Sequence, residues 1–156
     1  MTSTSPREEL SRLVHRLRTE TGASRTTVRG QAGTDPVALL AESLGPGVES
    51  MADGQQPQAI VAAPTYVVLS ETRAILVQDD CVNQGPEPPP SLTGRYRVRA
   101  QMLAPVLDGA EMIGTISVHQ QDVPRHWTRA DIAALERAQA DVTAIMVTGR
   151  DGRENG

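Results

Sequence analysis

The densest set of reactive side chains in the chain is Asp79-Asp80-Cys81, which closes the apolar run Thr72 to Gln78. Two adjacent carboxylates and a thiol could bind a cation, orient a base, or supply a nucleophile once a partner lowers the thiol pKa. The candidate partner is His119, whose ring titrates near neutrality. With His119 as acid or base, Asp79 or Asp80 orienting it, and Cys81 or the substrate supplying the reacting atom, the chain would be a small acid–base or nucleophilic enzyme. Each residue also has a plainer reading. Asp79 and Asp80 at a strand end are turn formers or helix caps. Cys81 is a small buried filler. His119 is first a structural or rim histidine, second a ligand-recognising one, third a catalytic one.

Anion recognition has its own candidates. Ser24 to Gln31, SRTTVRGQ, reads as a strand rich in β-branched residues. Arg25, Thr27 and Arg29 share one face, because strand side chains alternate. Both arginines read most simply as rim charges. The functional alternative puts one of them in a pocket, holding an anion through paired hydrogen bonds. Metal chemistry has no support: His15, His119 and His126 show neither HxxxH nor paired-cysteine spacing. No metal and no other cofactor is expected. Gly45-Pro46-Gly47 lacks the lysine and the strand-to-helix context of a phosphate loop.

Composition narrows the classes further. The 156 residues suit one domain, and a net charge of −4 offers no footprint for nucleic acid. The aromatics are Tyr66, Tyr96 and Trp127 alone, too few for base-stacking platforms. No apolar run approaches membrane-spanning length, and MTSTSPREEL carries no signal-peptide core. A single cysteine forms no internal disulfide, so the cytoplasm is the expected location.

The elements that would position these groups follow from periodicity. Ala100 to Gln121 reads as two strands joined at Asp108-Gly109, with a type I′ turn placing both central residues at positive φ. On the second strand Met112, Gly114, Ile116 and Val118 point one way, toward a closely packed helix. Ile113, Thr115, Ser117 and His119 point the other way, toward a pocket wall. Ser5-Pro6-Arg7-Glu8 starts a helix whose stripe is Leu10, Leu13, Val14 and Leu17, with His15 solvated and Gly22 as the stop. Thr128 caps a second helix with Asp131 near its positive end, Trp127 stapling onto Ile132, and a stripe through Leu135, Ala138, Val142, Ile145 and Met146. Val37 to Ser43 is read as a strand, with a short helix as rival. Gln58 to Leu69 is a short helix or turn interrupted by Pro64. Thr72 to Gln78 is a strand, and Ser91 to Tyr96 a helical turn. The whole is α+β, with terminal helices on one face of a mostly antiparallel sheet.

This order of motifs resembles the GAF domain family, a relative of the PAS domain. The resemblance is carried by Leu10 to Leu17, Ser24 to Arg29, Ala74 to Asp80, Met102 to Val106 before Asp108-Gly109, the apolar-Gly-apolar strand around Gly114, and Thr128 to Asp131. It implies a single domain over 5–148, with flexible tails at 1–4 and 149–156. It also implies a sheet of about six antiparallel strands, with the N- and C-terminal helices on one face and a ligand pocket on the other. GAF domains sense small molecules and control an effector. The resemblance therefore implies a small-molecule ligand and pairing of terminal helices into a homodimer, for which the apolar Ile145, Met146 and Val147 are the candidate seam; the expected output runs through a separate effector protein, dimerisation or chemistry within the domain. No nucleic acid and no membrane partner is expected. Free methionine-sulfoxide reductases of this family use several cysteines, and bilin-binding members use a cysteine and aromatic-lined pockets. Cys81 alone and the shortage of aromatics fit neither.

The expected pocket wall is Thr27, Arg29, Asp80, Tyr96, Thr115, Ser117 and His119. With Arg29 at one end and Asp79-Asp80 at the other, the expected ligand is amino-acid-like or another small carboxylate metabolite. The enzyme alternative rests on Asp79, Asp80, Cys81 and His119.

Overall fold

The computed structural model describes residues 4–154, with side chains through residue 150. Helix α1 (Pro6–Thr21) begins where Ser5 Oγ accepts from the Glu8 amide at 3.2 Å and ends at Gly22 in the left-handed region. It buries Leu10, Val14 and Leu17, leaving His15 exposed beside Ser43. Strands β1 (Arg25–Ala32) and β2 (Asp35–Leu44) form a hairpin, so the segment 37–43 is a strand. Short helices α2 (Pro57–Ala62) and α3 (Pro64–Thr72) follow, broken at Ala63-Pro64. Then come β3 (Leu76–Gln78), the single turn α4 (Pro90–Thr93), β4 (Val98–Asp108), β5 (Glu111–Gln121) and α5 (Arg129–Glu154).

The sheet is antiparallel throughout, in the order β2-β1-β5-β4-β3. Helices α1 and α5 pack on each other and on one face. That face carries Val28, Met102, Ala104, Val106, Ile116 and Val118, all fully buried. A Leu or Ile side chain removed from water in this way contributes about 1.5–3 kcal/mol, so this layer dominates the stability. Thr26 ties β1 to α1 by donating to Val14 O at 2.6 Å. Among the described residues no helix is long and apolar enough to cross a membrane.

Four boundaries differ from the sequence reading. The sheet has five strands among the described residues rather than about six, because the chain from Asp79 to Arg97 is irregular apart from α4. The run expected as a strand from Thr72 is strand only over Leu76–Gln78. Helix α3 extends through Thr72, and Arg73 caps it with φ 56°. The β4–β5 turn is centred on Gly109-Ala110, and Gly109 alone of the two adopts positive φ. Its neighbour carries a Cβ that disfavours that region. Finally, α5 continues to Glu154 instead of stopping at Thr148. Arg150 holds that extension to the hairpin, 3.1 Å from Asp108 and 3.0 Å from Glu111. Residues 1–3 and 155–156 of the expected tails lie outside the described residues.

Candidate functional site

The sheet face turned away from α1 and α5 is built in cross-strand rows. Gln78, Gln101, His119 and Arg25 form one row across β3, β4, β5 and β1. Leu103, Ser117 and Thr27 form the next, and Pro105, Thr115 and Arg29 the third. Two-residue periodicity forces this arrangement: once Val28, Ile116 and Val118 face the helices, their sequence neighbours face the opposite side.

Helices α2, α3 and α4 roof these rows and leave a half-open cavity of about 60 Å³. A single water needs about 10–15 Å³, so the space suits several waters or a small molecule. Its roof is mostly apolar, with Ile60, Leu69, Leu92 and Tyr66. Its floor is mostly polar, with Thr27, Arg29, Gln101, Thr115, Ser117 and His119. No Asp or Glu is among the lining residues.

Five of the seven expected wall residues line this cavity: Thr27, Arg29, Thr115, Ser117 and His119. Thr27 and Ser117 hydrogen-bond each other across the strands. Arg29 donates to Val37 O at 3.0 Å and to Gln55 Oε1 at 2.8 Å, and Gln55 in turn donates to Ser91 of α4. Among the described residues no carboxylate lies in salt-bridge contact with Arg29. Burial pulls its pKa below the ordinary arginine value, while Glu42 and Asp35 act the other way.

Arg25, expected at the rim, is the largest fully buried side chain of the domain. It reaches Glu49 O at 2.6 Å and His119 Nδ1 at 3.2 Å, and its Nε lies 3.8 Å from Glu42. Its guanidinium also sits 5.4 Å from the centre of the Tyr96 ring. Tyr96 does not line the cavity; it packs in an apolar cluster with Met51, Cys81, Leu92 and Val98, of which Met51 and Leu92 reach the lining. His119 is fully enclosed. Burial, with Arg25 and Arg29 nearby, holds its pKa well below the usual histidine value.

Asp80 lies outside the cavity. Its carboxylate accepts from Val82 N, Asn83 N and Asn83 Nδ2 and pairs with Arg99 at 3.1 Å, the work of a turn former. These donors, Asn83 and Arg99 first, hold its pKa below the usual carboxylate range. Asp79 accepts from Trp127 N and His126 Nδ1, tying the β3 end to the start of α5. The Cys81 thiol is buried, donates weakly to Val98 O at 3.5 Å, and is pushed up to about 11 by burial. No hydrogen bond links Cys81 or either Asp to His119, whose side-chain partner is Arg25. The proposed catalytic set is therefore dispersed over three environments. The expected pairing of an Arg29 end with an Asp79-Asp80 end is absent for the same reason. The turn after β3 carries both acids away from the cavity.

Two lining features went unread in the sequence: the roof residues Gln55, Thr65, Tyr66, Leu69 and Leu92, and Gln101 on the floor. The roof comes from segments with no periodicity to follow. Gln101 did leave a signal, as a polar residue inside the apolar strand AQMLAPVL.

A model of the GAF domain family matches residues 5–146. No curated protein matches the chain. Among solved structures, the chain is similar to the GAF domain of a phosphoenolpyruvate-protein phosphotransferase from Coxiella burnetii, at 14% identity and TM-score 0.77 over 98% of this chain and 89% of that one. It is similar to the chromophore-binding domain of a bacteriophytochrome from R. palustris, at 17% identity and TM-score 0.77 over 97% and 58%. A third likeness is to a GAF domain from Synechocystis sp. in its photoproduct state, at 19% identity and TM-score 0.74 over 97% and 100%. At these identities the likeness is one of fold.

Proposed function

This chain belongs to the GAF domain family, and on that premise we propose that it is a sensory module binding a small amphipathic carboxylate between the sheet and helices α2 to α4. The observation that carries the reading is Arg29: a guanidinium on the cavity wall, held by the neutral acceptors Val37 O and Gln55 Oε1, in a cavity whose lining has no acid. Two of its five N–H groups are used in this way, which leaves donors for an anion. The apolar roof of Ile60, Leu69 and Leu92 suits the hydrocarbon part of such a molecule. The cationic end once expected of the ligand has no partner here, so the favoured class is a carboxylate with an apolar body.

One solved neighbour is the chromophore-binding domain of a bacteriophytochrome, and another carries bound biliverdin. A covalent pigment on this chain would need a reactive thiol and a large cavity. Cys81 is enclosed and pushed up to about 11, and the cavity is about 60 Å³. Both support a small ligand.

The proposal includes a cytoplasmic setting, a homodimer through the α1–α5 side, and output to a separate effector protein. Titration of the purified chain with benzoate and with 4-methylvalerate, followed by calorimetry, tests the binding. Saturable binding that Arg29→Ala abolishes is the expected result. Binding untouched by Arg29→Ala, or none with either acid, removes the reading. Native mass spectrometry on protein from its own host would identify the molecule, and light scattering at tens of micromolar would decide the dimer.

A further inference from the structure

Gln55 occupies a hydrogen-bonding position on Arg29 that the proposed carboxylate would use. Its Oε1 accepts from Arg29 Nη2 at 2.8 Å, and its Nε2 donates to Ser91 Oγ of α4 at 3.2 Å. A carboxamide oxygen at that place stands in for one oxygen of a carboxylate, without the charge. Arg29 Nη1 is held separately by Val37 O at 3.0 Å. The guanidinium therefore stays on the cavity wall whether or not Gln55 is bound to it.

The space points to the same residue. The cavity measures about 60 Å³, whereas an apolar cavity of about 150 Å³ takes up benzene. A ring or branched chain bearing a carboxylate therefore needs a lining group to move. Most of the lining is fixed: the floor belongs to the sheet, and Ile60, Leu69 and Leu92 are buried on their helices. Gln55 differs. It lies in the irregular segment between β2 and α2, is partly exposed, and makes no backbone–backbone hydrogen bond among the described residues. Gly54 before it packs so closely on the Tyr96 hydroxyl that a Cβ would clash. That contact seats the main chain and leaves the Gln55 side chain as the moving part. Turned outward, its amide exchanges protein partners for water.

We infer that Gln55 is a built-in competitor for Arg29, a tethered neutral group that a carboxylate must displace before the site fills. This inference rests on the reading of Arg29 as a carboxylate site and adds the regulation of that site. The exchange replaces a neutral acceptor by an anion, so charge favours the ligand. It also releases the Gln55–Ser91 bond, so filling the site frees α4 from the segment that precedes α2. An internal competitor lowers the apparent affinity of every ligand by one common factor, the fraction of chains in which Arg29 is free.

The test titrates the full chain with benzoate and with 4-methylvalerate, as wild type, Gln55→Ala and Gln55→Glu. Gln55→Ala should tighten both acids by the same factor, about three- to tenfold. Gln55→Glu nearly keeps the side-chain size but sets an anion on Arg29, so both acids should weaken by at least about tenfold. Ser91→Ala cuts only the tether and should tighten both by a smaller factor, a readout that remains if a Gln55 variant fails to fold. Wild-type binding that Gln55→Ala weakens or leaves unchanged overturns the inference, as does undiminished binding by Gln55→Glu, and the carboxylate reading then stands. A gain for one acid alone means added space rather than lost competition and overturns it too. Acids that bind Gln55→Ala and not wild type uphold the competitor and remove the reading of the wild-type site as a carboxylate sensor. No binding by any of these proteins overturns both.

Discussion

Gly30 of β1 and Gly114 of β5 are direct partners in the ladder, and Met146 of α5 places its terminal methyl where either would carry a Cβ, 2.6 Å from one position and 2.7 Å from the other. The paired glycines make a shallow seat in the sheet, and the flexible thioether of a methionine fills it. This contact sets how closely α5 approaches, and so how the helical layer supports the wall on the other side.

Gly114→Ala should therefore cost about 1–3 kcal/mol, the usual range for overpacking a core. A Cβ there would also meet the main-chain oxygen of Arg29 at 2.5 Å, which cannot turn aside. Gly30→Ala should cost less, since its two nearest obstacles are the ends of the Met146 and Leu40 side chains. Urea unfolding of both variants measures the difference. Equal losses would mean that the helix, not the β1 main chain, limits the space.

The two arginines of β1 should separate in kind. Arg25→Ala removes the partner of Glu42, Glu49 O and His119 at once. Breaking a buried charge pair from one side costs about 3–5 kcal/mol. Arg29→Ala breaks two contacts to neutral acceptors and should destabilise by about 1–3 kcal/mol while abolishing benzoate binding. Thermal unfolding and calorimetry on the two proteins give the comparison. An Arg25→Ala protein as stable as wild type would refute the structural part.

Stability should be lost as pH is lowered through the histidine range. The His119 pKa is well below its ordinary value of 6.5 in the folded chain. Below that ordinary value the unfolded chain binds a proton that the folded chain does not, so stability rises with pH and is lost as pH falls from about 6.5 toward the depressed folded value. The slope from one such group is at most about 1.4 kcal/mol per pH unit. Denaturation between pH 7 and 5.5 should show it, and His119→Gln should flatten it. A wild-type curve already flat over that range would contradict the enclosed neutral ring.

Cys81 should be inert. A buried thiol pushed up to about 11 is protonated at neutral pH, and only the thiolate attacks. Alkylation by iodoacetamide at pH 8 should be at least about a hundredfold slower in native protein than in urea. Rapid native labelling would restore Cys81 as a candidate nucleophile.

Much of the architecture was legible in residue order. Period-two alternation along Ile113 to His119 placed Thr115, Ser117 and His119 on one wall and Gly114, Ile116 and Val118 under the helices. Ser5, Gly22, Thr128 and Asp131 marked helix ends through hydrogen bonds that are local, as the mutual Thr128–Asp131 contacts at 3.0 and 3.1 Å show. The family resemblance extended this to the whole domain, because fold class follows from the order of such local signals.

The site depended on distances that no local pattern encodes. Asp79 and Asp80 follow a strand, yet the turn after it spends them on Trp127, His126, Asn83 and Arg99. Arg25 and Arg29 share a strand face, and residue order pointed to Arg29 for the pocket wall and Arg25 for the rim. Only the folding of the Glu42 and Glu49 segments over Arg25 made one a buried structural cation and left the other on the cavity wall. The sequence by itself determined which residues face the same way, because backbone geometry repeats every two or 3.6 residues. Tertiary structure alone decided which of them meet a partner, because Gln78, Gln101, His119 and Arg25 come from four strands and become neighbours only where those strands lie side by side.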